Sequence, residues 1–132
     1  MSVLVDTSVW SQVLRRGAPS EDPQAHKLIR LLEEGPGVVL IGVILQEILQ
    51  GIRDEKQFAR LREHLDSFPL LELEREDFVA AAELRNHCLA RGVVANTVDI
   101  QIAAACLQHN CALLTCDSDF QHIASCCPLQ LI

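Results

Sequence analysis

The chain has 132 residues, of which 49% are hydrophobic, and its formal net charge is −7. This length fits one globular domain that buries its own core, and no run approaches the ~20 apolar residues of a membrane-spanning helix. An acidic chain lacks the basic surface that usually accompanies nucleic-acid binding, so such a function would have to account for the charge.

The expected compartment follows from the N-terminus and the cysteines. The chain passes directly into strand and helix patterns, without the basic start, apolar stretch and cleavage site of a signal peptide, so we expect a cytoplasmic protein. Its six cysteines are then expected to be thiols. No C-x-x-C pair occurs and the five histidines are scattered, which argues against a structural zinc site.

Apolar runs and helix signals alternate along the chain. Strands are expected at residues 3–5, 38–41, 69–73, 112–115 and 129–132. Helices are expected at residues 8–16, 23–34, 42–51, 54–68, 76–91 and 97–110, with a short one beginning at residue 120. This alternation predicts an α/β fold, a three-layer sandwich with a central, mainly parallel sheet flanked by helices. No repeat or linker divides the chain, so we expect a single domain over residues 1–132.

Four acidic residues lie in apolar sequence, where burial penalises a charge. They are Asp6 after VLV, Glu47 in ILQEILQ, Asp99 in NTVDIQIAAA and Asp117 in LLTCDSDF. Asp6 and Asp117 follow predicted strands, and the carboxyl ends of parallel strands meet at one edge of a sheet. We therefore expect these two side chains at the same edge.

Three of the four acids also have an ordinary structural interpretation. Asp6 and Thr7 are residue types that cap the helix following them. Asp99 lies in the first turn of a predicted helix, where the helix dipole favours an acid. Asp117 and Asp119 fit a turn in which carboxylates bond the backbone. Each acid taken alone is therefore ambiguous.

Glu47 is harder to explain structurally, because it lies in mid-helix beside Ile44 and Ile48. Its ordinary interpretation is a solvated position at the edge of the apolar face. Four separate coincidences nevertheless favour one shared site. Two carboxylates about 4 Å apart repel by roughly 4 kcal/mol at an effective dielectric near 20, so such a cluster protonates, separates or binds cations. Oxygen ligands without His or Cys suit Mg²⁺ or Mn²⁺.

A bound cation would also account for much of the negative charge. The acids that such a site would hold are Asp6, Glu47, Asp99, Asp117 and Asp119. Without them, 13 acidic residues face 11 basic ones, a balance of −2. The candidates for contact with substrate phosphates lie near the C-terminal ends of the first and third predicted helices, although solvated surface charge is their simpler interpretation. They are Arg15, Arg16, Arg53 and Lys56.

Four segments of the chain resemble, in order and spacing, the motifs of the PIN domain, and within it the VapC-type toxin ribonucleases of toxin–antitoxin pairs. The segments are VLVDTSVW, LQEILQGI, VDIQIAAAC and LLTCDSDF. The resemblance implies an endoribonuclease that depends on Mg²⁺ or Mn²⁺ and hydrolyses RNA. It also implies a homodimer, inhibited by a VapB-like antitoxin whose C-terminal segment occupies the acidic groove.

The resemblance assigns roles to individual residues. The implied catalytic set is Asp6, Glu47, Asp99 and Asp117. The implied metal ligands are Asp6, Asp99, Asp117 and Asp119, the last of them directly or through water. Thr7 or Ser8 is implied to contact the site through hydroxyl or backbone groups, and Thr115 matches a small polar position of the pattern.

The chain departs from the family pattern in its basic residues. Position 116 is Cys where relatives often carry a basic residue, and no Lys or Arg follows Arg91. A basic surface for RNA therefore has to come from the first two thirds of the chain.

Two other functions are compatible with part of the pattern. A phosphoryl-transfer protein of the haloacid dehalogenase or receiver type also begins with Asp after a strand, but it needs a late lysine. The only lysines are Lys27 and Lys56, both in surface-helix patterns. A non-catalytic PIN-like interaction module would be expected to lose one or more of the acids, and here all four are present.

Overall fold

The computed structural model describes residues 1–14, 20–35 and 37–132, which form four strands and seven helices. The strands are β1 (Ser2–Val5), β2 (Val38–Ile41), β3 (Leu70–Leu71) and β4 (Cys111–Leu114). The helices are α1 (Thr7–Leu14), α2 (Pro23–Glu34), α3 (Gly42–Gln50), α4 (Glu55–Leu65), α5 (Arg75–Ala90), α6 (Thr97–Gln108) and α7 (Asp119–Ala124).

The strands form one sheet in the order β3-β2-β1-β4. Strand β1 is central, pairing Val3 with Val38 of β2 and Val5 with Leu114 of β4. Every pairing between these described strands is parallel, as expected for strands joined through helices. The predicted α/β class with a parallel sheet is confirmed.

The last predicted strand, at residues 129–132, is wrong, because this segment does not form a full strand. This segment runs beside β4, where the Leu113 N–H donates to the Gln130 carbonyl at 2.8 Å, but only Leu131 forms a bridge, to Leu113. Pro128 has no N–H to donate, and the chain leaves a turn immediately before it. A single bridge therefore replaces the expected strand.

Several other boundaries differ from the sequence prediction by one to three residues. Strand β3 has two residues in place of the five predicted at 69–73, and at its start Pro69 contributes only a carbonyl, which accepts from Leu40 N–H at 2.9 Å. Helix α1 is described to Leu14. The end of the predicted helix, with Arg15 and Arg16, lies outside the described residues.

The core lies on both faces of the sheet and fixes the alignment of its strands. Leu4 and Val5 of β1 and Leu113 of β4 have no measurable exposure. Burying a side chain of this size stabilises the fold by about 1.5–3 kcal/mol, so slipping the register by one residue would be costly. In the observed register Asp6 N–H donates to the Leu114 carbonyl at 2.9 Å. The residues that follow β1 and β4 therefore lie side by side.

Two other expectations concern the thiols and the membrane. All six cysteines lie within the described residues and are thiols. Among the described helices, none combines the length and apolar character that crossing a membrane requires.

Candidate active site

Asp6 follows β1 and is held by two hydroxyl groups. The residue is only 7% exposed. The Oδ2 atom accepts hydrogen bonds from Ser8 Oγ at 2.7 Å and from Thr115 Oγ1 at 2.9 Å. The described hydrogen bonds to this carboxylate come from side-chain hydroxyls and not from helix N–H groups, so the capping interpretation of Asp6 does not describe its side chain.

The same hydroxyls connect β1 to the loop after β4. Thr115 Oγ1 also accepts from the Asp117 N–H at 3.0 Å, and Ser8 Oγ accepts from the Cys116 N–H at 3.0 Å. Asp117 Oδ1 in turn accepts from the Asp119 N–H at 2.9 Å, so the predicted turn is present as well. The hydroxyls therefore fix where the loop places its two aspartates.

Asp99 enters the site from the start of α6. Asn96 caps the helix: its Oδ1 accepts from the Asp99 N–H at 2.8 Å, and its Nδ2 donates to Asp99 Oδ2 at 2.9 Å. Burial, followed by the charges of Asp117 and Asp6, raises the pKa of Asp99 to about 6. The carboxylate is thus held in a position where its negative charge is unfavourable.

Three carboxylates lie close enough to share one ion. Single oxygen atoms of Asp99, Asp117 and Asp119 all lie within 4.8 Å of one another. Carboxylate oxygens are hard donors of the kind that Mg²⁺ and Mn²⁺ take, and a divalent cation would relieve the repulsion that raises the Asp99 pKa. The donor set therefore fits the predicted metal.

Glu47 reaches the same cleft from α3. Its half-buried side chain lies at the edge of the face that carries the buried Ile44 and Ile48, and its Oε1 accepts from Thr7 Oγ1 at 3.0 Å. Glu47 also lines the cleft, of about 490 Å³, that Asp6 and Asp99 line. The structure therefore brings Glu47 and the aspartates together, as the sequence predicts, and does not turn Glu47 out to solvent.

The lining of this cleft, which we call the acidic cleft, contains acids, hydroxyls and an amide. The nine residues are Asp6, Thr7, Ser8, Glu47, Asn96, Thr97, Val98, Asp99 and Asp117. No Lys or Arg is among them. Among the described residues, therefore, no lysine for phosphoryl transfer lines this cleft.

The candidate phosphate contacts are placed differently from the acids. Arg53 lies exposed between α3 and α4, and Lys56 is exposed in the first turn of α4. Neither lines the acidic cleft. Arg15 and Arg16 fall outside the residues that the structure describes.

Sequence reasoning missed two residues that support the site. One is Asn96, whose side chain holds Asp99 and whose spacing of three residues before an acid is a recognisable capping signal. The other is Gln24, whose Nε2 donates to the Thr115 carbonyl at 2.9 Å and to the Ile132 carbonyl at 3.0 Å. No local pattern could reveal the second contact, because Thr115 is 91 residues away in sequence.

The fold and the cleft define a class of protein: an α/β domain with a cluster of carboxylates at the carboxyl edge of a parallel sheet. The family model of the PIN domain matches residues 3–125. The chain therefore belongs to the PIN-domain family, and the resemblance seen in its motifs is confirmed.

Relatives with related sequences cover nearly the whole chain. The VapC ribonuclease Mb1587 of Mycobacterium bovis is 28% identical over 130 residues, which are 97% of this chain and 96% of that protein. Ribonuclease VapC11 of Mycobacterium tuberculosis matches with the same identity and coverage.

Solved structures share the fold. VapBC2 from Rickettsia felis, bound to a promoter DNA fragment, aligns with a TM-score of 0.78 at 17% identity over 100% of this chain and 98% of that one. FitAcB from Neisseria gonorrhoeae aligns with a TM-score of 0.74 at 22% identity over 98% and 96% of the two chains. VapBC-1 from nontypeable Haemophilus influenzae gives 0.76 at 19% identity, over 100% and 97%.

Proposed function

We propose that this protein is an endoribonuclease that hydrolyses RNA phosphodiester bonds and depends on Mg²⁺ or Mn²⁺. The observation that carries the proposal is the convergence of Asp6, Glu47, Asp99 and Asp117, from four separate segments, on one cleft. The ribonuclease names of relatives that match over nearly the full length support the choice of substrate. On this proposal residues 1–132 act as a single domain.

The metal ligands in this proposal are Asp99, Asp117 and Asp119, with Asp6 beside them. The chemistry that such a cation supplies when bound is polarisation of a phosphodiester oxygen and a lowered pKa for water. The hydroxyls of Ser8 and Thr115 keep Asp6 oriented toward the site.

Glu47 is the residue that we assign to proton transfer. The hydroxyl of Thr7 bonds its Oε1 atom and so holds the carboxylate toward the cleft. Glu47 would accept a proton from the water that attacks phosphorus, while the bond from phosphorus to the leaving ribose oxygen breaks and that oxygen takes a proton from solvent. Glu47 is also not among the three residues whose oxygens lie within 4.8 Å of one another, so it is not assigned to the metal in this proposal.

The partners in this proposal are a VapB-like antitoxin, a second copy of the chain in a homodimer, and RNA. Several of the solved structures with this fold are toxin–antitoxin complexes, including one from Klebsiella pneumoniae with a TM-score of 0.70 and 20% identity. We place the protein in the cytoplasm, where its RNA substrate and an antitoxin would meet it.

Cleavage of a pool of short single-stranded RNAs of random sequence tests the function. With Mg²⁺ or Mn²⁺ the wild type is expected to cut the pool, and EDTA to stop it. Asp6→Asn keeps the shape of the side chain but not its charge, and we expect at least about a hundredfold loss of rate, since outer-sphere partners of a metal alone cost 10–100-fold. Asp66→Asn, at an exposed acid after α4, is the matched control. Wild-type activity in Asp6→Asn, or undiminished cleavage in EDTA, would refute the proposal.

A further inference from the structure

A second cavity, of about 260 Å³, opens beside the acidic cleft. The two share Asn96 and Asp99 as a common wall. The second cavity is also lined by Asp119, His122 and Ile123 of α7 and by residues 92–95 between α5 and α6, which we call its rim. We call the second cavity the side cavity. If a phosphate of an RNA strand lies at the aspartates, the nucleoside next to that phosphate is within reach of the side cavity.

The rim of the side cavity is fixed in shape by the end of α5. Gly92 has a φ of +79°, a conformation that favours glycine, and its N–H donates to the Leu89 carbonyl at 3.0 Å. The next N–H, of Val93, donates to the Cys88 carbonyl at 2.9 Å, which completes a Schellman motif. Three residues later Asn96 caps α6, so this short loop is held at both ends and presents the same surface to any ligand.

The side chains of the cavity suit the flat face of a nucleobase. Val94 is 78% exposed, and it lines the cavity together with Val93 and the buried Ile123. A single exposed valine is ordinary on a protein surface. This one is notable because it adjoins two other apolar groups in a cavity next to a candidate phosphodiester site. Single-stranded RNA is usually recognised by packing splayed bases on such surfaces and by hydrogen bonds to their edges.

His122 is the group best placed to hydrogen-bond a ligand in the side cavity. No Lys or Arg occurs after Arg91, so the only basic side chains in the sequence beyond Arg91 are two histidines, His109 and His122. His109 bonds Asp77, with Nε2 2.9 Å from Oδ1. The His122 ring is exposed and lines the side cavity beside Asp119. An imidazole can serve there as a donor or an acceptor.

We propose that the side cavity binds the nucleoside next to the phosphodiester that is cut, with Val94 packing on the base and His122 bonding its edge or its ribose. The proposal rests on the ribonuclease function proposed above. It makes the protein's preference for a nucleotide at the cleavage point depend on the loop after α5 and on α7, which lie outside the acidic cleft.

The same random RNA pool tests the proposal if the ends of the products are sequenced. His122→Ala and Val94→Ser are compared with His64→Ala and Val79→Ser, which alter exposed residues on α4 and α5. In the first pair we expect kcat/KM to fall about tenfold, and the preference for the nucleotide adjacent to the cut to weaken, because either the hydrogen bond of His122 or the packing of Val94 on the base is lost. More distant positions and the two control variants should match the wild type.

A binding measurement separates this proposal from the proposed function. Each of the four nucleoside 5′-monophosphates is titrated, with Mg²⁺, into labelled protein, and NMR shifts are followed at the amides of residues 93–96 and at the His122 ring. Shifts at these signals with at least one nucleotide, reduced in Val94→Ser, support nucleoside binding in the side cavity.

If the wild type cuts RNA but His122→Ala and Val94→Ser cut with wild-type rate and preference, the side cavity is not a nucleoside site. The same conclusion follows if nucleotides shift only other signals. If the wild type cuts no RNA, the ribonuclease function fails, and the nucleotide titration still decides the binding proposal.

Discussion

Asp77 and Asp99 occupy the same position in two neighbouring helices and have very different surroundings. Each lies three residues after the N-cap of its helix, α5 or α6, and they are 8% and 9% exposed. Asp77 Oδ2 accepts from the Glu74 N–H at 2.8 Å and Oδ1 lies 2.9 Å from Nε2 of His109, at the other end of α6. Asp77 therefore has a partner for each of its oxygens.

The Asp99 carboxylate accepts a hydrogen bond from the side-chain amide of Asn96 and lies near other carboxylates. Asn96 donates to it, but its neighbours in the cleft include Asp117 and Asp6, which raise its pKa in addition to burial. The comparison teaches that the local signal, an acid in a first helical turn, does not separate a structural carboxylate from a functional one. The tertiary neighbours decide, since both oxygens of Asp77 have hydrogen-bond partners within the chain, whereas Asp99 lies beside other carboxylates.

Exchanging each acid for its amide should give opposite results. Asp99→Asn is expected to lower RNA cleavage at least about a hundredfold, because a metal ligand is lost from the site. Asp77→Asn is expected to cleave as the wild type does. Its free energy of unfolding should fall by about 1–3 kcal/mol, because the new NH₂ group faces either the Glu74 N–H or His109, and the carboxylate oxygen that accepted a hydrogen bond there is gone. Cleavage assays and urea denaturation measure the two quantities. A large loss of cleavage in a folded Asp77→Asn protein would break the comparison.

The pH dependence of stability sharpens the same contrast. The folded pKa of Asp99, about 6, lies above its unfolded value near 3.9, so the favourable contribution of this group is complete below pH 4 and is lost as the pH rises through 6. In EDTA, Asp99→Asn should therefore have the same free energy of unfolding as the wild type near pH 4. It should become more stable than the wild type by about 1–3 kcal/mol by pH 7.5. If the difference in the free energy of unfolding between the two proteins stays constant from pH 4 to pH 7.5, the pKa of Asp99 is not raised.

The smallest effect is expected at Gln24. This residue is connected to Asp6 through Thr115, which bonds both of them. Removing its amide in Gln24→Ala frees the Thr115 carbonyl, so the hydroxyl that holds Asp6 is less well placed. We expect about a tenfold rise in the Mg²⁺ concentration that gives half-maximal cleavage, with a smaller change in the maximal rate. Gln46→Ala, on the exposed face of α3, is the control. Should both variants respond alike to Mg²⁺, Gln24 is not a positioning residue.

Much of the fold and of the candidate site could be predicted from strand ends and apolar spacing. Asp6 and Asp117 were expected at one edge of the sheet because parallel strands end together, and the register of β1 and β4 places them there. Glu47 was expected because an acid between Ile44 and Ile48 has no local reason to be there. Their catalytic and metal-binding roles stay predictions.

Other features depend on contacts that no local pattern contains. The bond from Gln24 to Thr115 joins the start of α2 to the end of β4, and only the folded chain brings them together. The side cavity likewise needs the loop after α5 to meet His122 of α7. The predicted strand at 129–132 is reduced to a single bridge at Leu131, because apolar composition indicates pairing beside β4 but does not set how far that pairing extends.

Calorimetric titration of the wild type, Asp77→Asn and Asp99→Asn with Mn²⁺ at pH 7.5 tests most directly whether the crowded aspartates form a divalent-cation site. We expect the wild type and Asp77→Asn to bind Mn²⁺ with the same affinity, and Asp99→Asn to bind at least about tenfold more weakly. Equal binding by all three proteins, or no binding to the wild type at millimolar Mn²⁺, would contradict the account.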